Sequence, residues 1–321
     1  MARVVFPSPD MFRAEAISAE TRAINAGIVA RLSAAPDPWS VSPAEVRAAR
    51  AAGHGVLPLE PKSDRAREMT IDGPRGPIGL RIIAPQAASG VYLHIHSGGW
   101  TVGTHDEQDS RHERLVDNCN LAVVTVDYRL APEHPYPQGP DDCEAAALWL
   151  VREAKRLFGT DRLAIGGESA GAHLALATMN RLRDRHGLTP FSAANLIAGC
   201  YDLRLTPSAA NWGAEKLVLN TRDLHNFIGN FLCHGGNAAD PDVSPLFADL
   251  AGLPPALVTV GTLDPLLDDS LFLAPRYAAA GNDVELAVYP GGAHVFMGFS
   301  GALAEESLGK IDSFLKGIFS A

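Results

Sequence analysis

The chain has 321 residues, 46% apolar and 20% charged, which is ordinary globular composition and excludes a mainly disordered state. Its 27 Lys and Arg against 37 Asp and Glu leave a formal net charge of −10, which repels phosphate backbones and argues against nucleic acid as a partner. No uninterrupted apolar run is long enough to cross a bilayer, so no membrane span is expected.

In chain order, the opening MARVVFPSPD lacks the apolar core of a secretion signal, and the expected location is the cytoplasm. Residues 11–34 carry Ile24, Ile28 and Leu32 at helical spacing. A second helix is predicted from about Pro43, with Ser42 as N-cap and the proline at the first helical position. The join Ala-Ala-Pro-Asp-Pro breaks the two apart. Residues 1–60 therefore read as an added helical layer, and residues 61–321 as the main domain.

From Arg67 the texture changes. Residues 67–72 and 78–83 are short strand-like runs about the turn Asp72-Gly73-Pro74-Arg75-Gly76, which predicts an antiparallel pair. Residues 91–95 and 121–126 are β-branched apolar runs of the kind found in strands covered on both faces. Cys143, Ala147, Leu150, Ala154 and Leu157 form an amphipathic helical stripe. Strands are predicted at 163–165, 195–200, 256–260 and 284–289. Helices are predicted at 170–182, from Leu267 to Ala278, and from Ala304 to Ile318. Strands alternating with such helices define an α/β class with a mostly parallel sheet and helices on both faces. Residues at about 203–239, with Trp212, Phe227 and Phe231, break the alternation and read as a helical insertion above the sheet. The basic stretch at 181–185 reads as a solvated helix end. Cys119, Cys143, Cys200 and Cys233 show no C-x-x-C pairing and read as reduced, half-buried thiols.

Gly167-Glu168-Ser169-Ala170-Gly171 lies between a strand and a helix, where a sharp turn would lift Ser169 above the sheet at a helix N-terminus. A serine hydroxyl needs a base, and in a parallel sheet its partners should follow later strands at the same edge. Asp264 follows residues 256–260 directly. His294 follows residues 284–289 after the loose turn Pro290-Gly291-Gly292-Ala293. Asp202 also follows a strand and stands as the alternative acid. Asp268 and Asp269 read as structural carboxylates in a first helical turn. His96-Ser97-Gly98-Gly99-Trp100 follows the strand at 91–95, and its glycines would let backbone N–H groups of Gly98 and Gly99, with that of Ala170, approach an oxyanion. His94 with His96, and His105 with Asp106, Glu107, Asp109 and His112, lack a complete ligand set at recognisable spacing, so no metal and no cofactor is expected.

Together these segments resemble the hormone-sensitive-lipase-like family of α/β-hydrolase esterases, the bacterial family IV carboxylesterases. His96-Ser97-Gly98-Gly99-Trp100 is similar to the family's His-Gly-Gly-Gly-aromatic loop, with Ser97 in place of the first glycine. Residues 127–137, Asp-Tyr-Arg-Leu-Ala-Pro-Glu-His-Pro-Tyr-Pro, match its long signature. The elbow matches with Glu168 where Asp is usual, and Asp264-Pro265-Leu266-Leu267-Asp268-Asp269 and Gly292-Ala293-His294 match its acid and base segments.

The resemblance implies an α/β-hydrolase fold with a helical cap made of residues 1–60 and the insertion. It implies a triad of Ser169, Asp264 and His294, and an oxyanion hole of Gly98, Gly99 and Ala170. It makes His96 and residues 127–137 supports, with cis X-Pro bonds among them. The implied activity is hydrolysis of short- to medium-chain acyl esters. Amide hydrolysis or deacetylation on the same machinery is the alternative. A non-catalytic receptor is disfavoured because His294 is present. A left-handed backbone at Ser97 would cost energy and reshape the hole. Trp100, Trp212, Phe227 and Phe231 are candidates to wall a pocket. A homodimer is the assembly the family suggests.

Overall fold

The computed structural model describes residues 7–320; residues 1–6, the first part of the stretch read above for a secretion signal, lie outside the described residues. Two helices open the chain, α1 (Ala19–Ala34) and α2 (Pro43–Ala49). The helix anticipated from residue 11 starts at Ala19, because Ser18 caps it there by accepting from the Thr21 N–H, and Pro9–Phe12 and Ala14–Ala16 form 3₁₀ turns instead. At α2 the Ser42 side chain and Glu45 form a reciprocal capping box behind Pro43.

The main domain follows as β1 (Arg67–Gly73), β2 (Gly76–Ile83), β3 (Gly90–Ile95), α3 (Asp109–Cys119), β4 (Leu121–Asp127), α4 (Gln138–Phe158), β5 (Leu163–Glu168), α5 (Ala170–His186) and β6 (Phe191–Ile197). Then come α6 (Pro207–Asn211), α7 (Thr221–Phe231), β7 (Ala256–Leu263), α8 (Leu267–Ala279), β8 (Val284–Ala293) and α9 (Ala302–Phe319). The sheet order is β1-β2-β4-β3-β5-β6-β7-β8. β2 runs antiparallel to β1 and β4, and the remaining pairs are parallel. Successive strand residues alternate between two cores. Leu93, Ile95, Val124 and Val258 pack on the side of α4, α5 and α8. Tyr92, Val123 and Leu257 pack on the side of α3 and α9. This is the α/β-hydrolase arrangement, and it sends the C-terminal ends of β3, β5, β7 and β8 to one edge.

Several expectations are corrected. The glycine run at 290–293 is strand: β8 continues to Ala293, which pairs with Leu263 across a register shift. Bare backbone makes this possible, since a Cβ on Gly261 would meet the Gly292 carbonyl oxygen at 2.0 Å. β6 begins at Phe191 and ends before residues 198–200. Arg181 is buried rather than solvated, paired to Asp242 at 2.6 Å and Asp141 at 3.0 Å. Cys119, Cys143 and Cys200 are buried, and Cys233 is exposed. The insertion is helical, as α6 and α7. No helix of the described residues is long and apolar enough to cross a membrane.

Candidate active site

Ser169 links β5 to α5 with φ 56° and ψ −120°, a conformation that costs a non-glycine residue of order 1–3 kcal/mol and persists only where the surroundings impose it. The two motif glycines show what imposes it. A Cβ on Gly167 would meet the Ile95 carbonyl oxygen at 2.2 Å, and one on Gly171 would meet it at 1.9 Å. The chain leaving β3 is thus pressed against the turn that carries Ser169.

His294, immediately past β8, places Nε2 at 2.9 Å from Ser169 Oγ. Its Nδ1 lies 2.9 and 3.0 Å from the two carboxylate oxygens of Asp264, immediately past β7. The carboxylate can only accept, so Nδ1 carries the proton and Nε2 is free to take the serine hydroxyl's hydrogen. The Leu266 N–H also donates to Asp264 Oδ1 at 2.8 Å, fixing the carboxylate. All three side chains are buried.

The other acids go elsewhere. Asp202 pairs with Arg204 at 2.9 Å, and Asp268 accepts the Ser208 N–H. Asp269 is fully buried and accepts from the N–H groups of Tyr201 and Asp202 and from the Thr206 hydroxyl. Burial pushes its carboxyl up to about 7 despite those bonds.

The loop after β3 turns sharply at Gly98, with φ 121°, and at Gly99 and Trp100, each with φ 57°. Ser97 is not in the left-handed region, so the cost anticipated there does not arise; Trp100 takes that conformation instead. A Cβ on Gly98 would lie 1.9 Å from the Val102 carbonyl oxygen, so only glycine fits. The N–H groups of Gly98 and Gly99 have no acceptor among the described residues. That of Ala170 opens α5 and has no intrahelical partner. Gly98, Gly99 and Ala170 line the same cavity as Ser169.

Supports surround this loop. His96 stacks on Tyr128 at 4.2 Å, and the Tyr128 hydroxyl donates to the His96 carbonyl. Burial pulls His96 down to about 3, so it is neutral. Within residues 127–137, the Ala131-Pro132 and Tyr136-Pro137 bonds are cis. Two supports escaped the sequence reading. Arg47 of α2 donates to the Thr101 and Ala131 carbonyls and pairs with Glu133 at 2.7 Å. His173 accepts the Trp100 indole N–H at 3.1 Å. Helical spacing puts His173 one turn after Ser169, the only signal that could have flagged it. Glu168 is buried, accepts from Gln108 Nε2 at 3.1 Å and lies 3.5 Å from His94 Nε2. No group of three His, Cys, Asp or Glu able to hold a metal ion occurs among the described residues.

The site opens into a cavity of about 1040 Å³ lined by residues of the N-terminal helices, of the insertion and of the main domain. Of the expected aromatic walls, Trp100 and Phe227 line it. Phe231 instead stacks on Trp100 at 4.7 Å from below, and Trp212 packs with Ile28, Leu217 and Ala293. Trp39 was not anticipated. It meets Phe227 edge-on at 4.9 Å and donates to Asp223 at 2.6 Å.

Comparison with known proteins agrees with this geometry. A family described as alpha/beta hydrolase fold matches residues 92–298. Esterase LipI of Mycobacterium tuberculosis is 34% identical over 273 residues, covering 77% of this chain and 80% of that protein. An ethyl acetate hydrolase of Pseudomonas putida is 33% identical over 226 residues, 70% of each chain. The crystal structure of a hormone-sensitive lipase from a metagenome library matches with a TM-score of 0.81 at 27% identity, covering 93% of this chain and 98% of that one.

Proposed function

Since the chain belongs to the hormone-sensitive-lipase-like esterases of the alpha/beta hydrolase fold and is a carboxylic ester hydrolase, we propose that it acts as a serine esterase on short- to medium-chain acyl esters, through an acyl-enzyme on Ser169. The observation that carries this reading is the hydrogen-bonded line from Ser169 Oγ through His294 to Asp264, beside three unpaired N–H donors.

His294 Nε2 takes the hydroxyl proton as Ser169 Oγ attacks the ester carbonyl. Asp264 holds the tautomer and stabilises the imidazolium that forms. The N–H groups of Gly98, Gly99 and Ala170 receive the oxyanion, and one such donor is typically worth about 2.7–4 kcal/mol in the transition state. His294 then protonates the leaving alcohol, which frees it to draw a proton from the water that cleaves the acyl-enzyme. No cofactor enters these steps.

Residues 1–60 and 203–239 act as the cap in this reading, and residues 61–321 as the hydrolase domain, with Trp39 and Phe227 meeting over the cavity in its support. The ethyl acetate hydrolase relative supports small esters as substrates. The unpaired cysteines fit a reducing compartment such as the cytoplasm. The acidic charge argues against nucleic acid, and a homodimer is the assembly expected from the family.

The test is a fluorophosphonate probe with peptide mapping. Labelling is expected at Ser169 alone, and Ser169→Ala is expected to lose p-nitrophenyl butyrate turnover. Full turnover in the purified variant would overturn the assignment.

A further inference from the structure

Ser97 is the departure from the glycine loop, and its side chain is unemployed. The residue is only 7% exposed and lines the cavity beside Gly98, Gly99 and Ser169. Its backbone is committed, because His96 Nδ1 donates to the Ser97 carbonyl at 2.8 Å. Its hydroxyl makes no hydrogen bond with any described residue, and it is not among the polar atoms sealed from solvent. The opening it reaches is the cavity. The other cavity hydroxyls are occupied: Thr101 Oγ1 donates to the Gly99 carbonyl, and Ser169 Oγ is bonded to His294.

We propose that Ser97 is a specificity-determining residue, which selects esters carrying a hydrogen-bonding oxygen or nitrogen within about four bonds of the reacting carbonyl carbon. The inference rests on the esterase reading and deepens it. Consecutive Cα atoms lie about 3.8 Å apart, so a hydroxyl on residue 97 stands within a few ångströms of the oxygen held by the Gly98 N–H. That is the reach of a substituent on the acyl chain's first carbons, or on the first carbons of the alcohol. When a wholly apolar substrate fills the site, it displaces the water that serves this hydroxyl and leaves it unpaired. A substrate with a matching polar atom replaces that water. Discrimination then comes from the unpaired group in the wrong complex. The Ser97 backbone conformation suits any L-residue, so the serine is accommodated without the strain a left-handed position would bring.

The experiment compares isosteric ester pairs in wild type, S97A and S97G. The acyl arm sets p-nitrophenyl 3-hydroxybutyrate against p-nitrophenyl 3-methylbutyrate. The alcohol arm sets 2-hydroxyethyl butyrate against propyl butyrate, followed by pH-stat. The readout is the ratio of kcat/KM within each pair, which cancels a general change in activity. The expected result is that this ratio falls about tenfold in both variants, in one arm. Ratios that stay within threefold of wild type in both arms overturn the proposal, and they include the case where Ser97 merely helps every ester alike. Wild-type enzyme silent on all four esters would instead overturn the esterase reading itself.

Discussion

The indole N–H of Trp100, in the glycine loop, donates to Nδ1 of His173, one helical turn after Ser169. The far nitrogen of the same ring, Nε2, donates to the Val243 carbonyl at 2.8 Å. Both nitrogens are thus spent on a neutral imidazole, and a second proton would face the Trp100 donor. Burial accordingly pulls His173 down to about 4, below the ordinary 6.5. The unfolded chain then takes up a proton first as pH falls. Stability from this group is complete above about 6.5 and drains away towards 4, by at most about 1.4 kcal/mol per pH unit. Urea denaturation at pH 7.5, 6.5, 5.5 and 5.0 should show wild type losing stability relative to His173→Gln on acidification. A constant difference between the two would remove His173 from the account.

Asp264→Asn tests the proposed triad acid without disturbing the fold. The amide oxygen can still accept the Leu266 N–H, which Asp264 Oδ1 now accepts at 2.8 Å. The amide nitrogen, however, would face His294 Nδ1 as a donor and favour the wrong tautomer. The expected loss in kcat is about 10⁴, with an unchanged melting curve. A loss under tenfold would mean that another acid orients His294.

Phe227 is pressed against the loop that holds the proposed oxyanion donors. A Cβ on Gly99 would lie 2.4 Å from the Phe227 ring, and the local φ of 57° is a left-handed conformation that strains alanine as well. Gly99→Ala should therefore fail through the ring as well as through the backbone, lowering kcat on p-nitrophenyl butyrate roughly tenfold to a hundredfold as the donor is pushed off line. The double variant Gly99→Ala/Phe227→Ala should recover the part of that loss that comes from the ring. Additive effects of the two changes in a double-mutant cycle would show that the contact is not what matters.

What could be read from the sequence was what local rules carry. The turn around Ser169 needs small neighbours, and parallel strands deliver Asp264 and His294 to its edge whatever the detail between. The rest depended on partners distant in the chain. Arg181 looked solvated beside Asp184, but its partners Asp141 and Asp242 come from α4 and from the segment before β7. The glycines at 291 and 292 looked like a turn because composition does not say that β7 would cross them on bare backbone. Trp212, Phe227 and Phe231 are alike in type, and only the packing of α7 decides which of them faces the cavity. Trp39 lies in a Pro-rich stretch, where no periodicity could give it a direction.

Asp269 yields a pH dependence of opposite sign to that of His173. Its Oδ1 accepts from the Tyr201 and Asp202 N–H groups at 2.6 and 2.9 Å, and Oδ2 lies 2.7 Å from the Thr206 hydroxyl. Burial still outweighs these bonds and raises the carboxyl to about 7, from an ordinary 3.8. Between those values the native protein keeps a proton that the unfolded chain has released. Stability from this group therefore falls as pH rises from about 4 to about 7, then levels off. Asp269→Asn fixes the neutral state: its carbonyl oxygen accepts both N–H groups, and its amide can donate to Thr206 as the protonated acid does. The variant should gain stability relative to wild type as pH rises from 5 to 8. In wild type the two slopes oppose each other between pH 5 and 6.5, so only the paired variants resolve them. An Asp269→Asn difference that stays level from pH 5 to 8 would show that this carboxyl is ionised throughout.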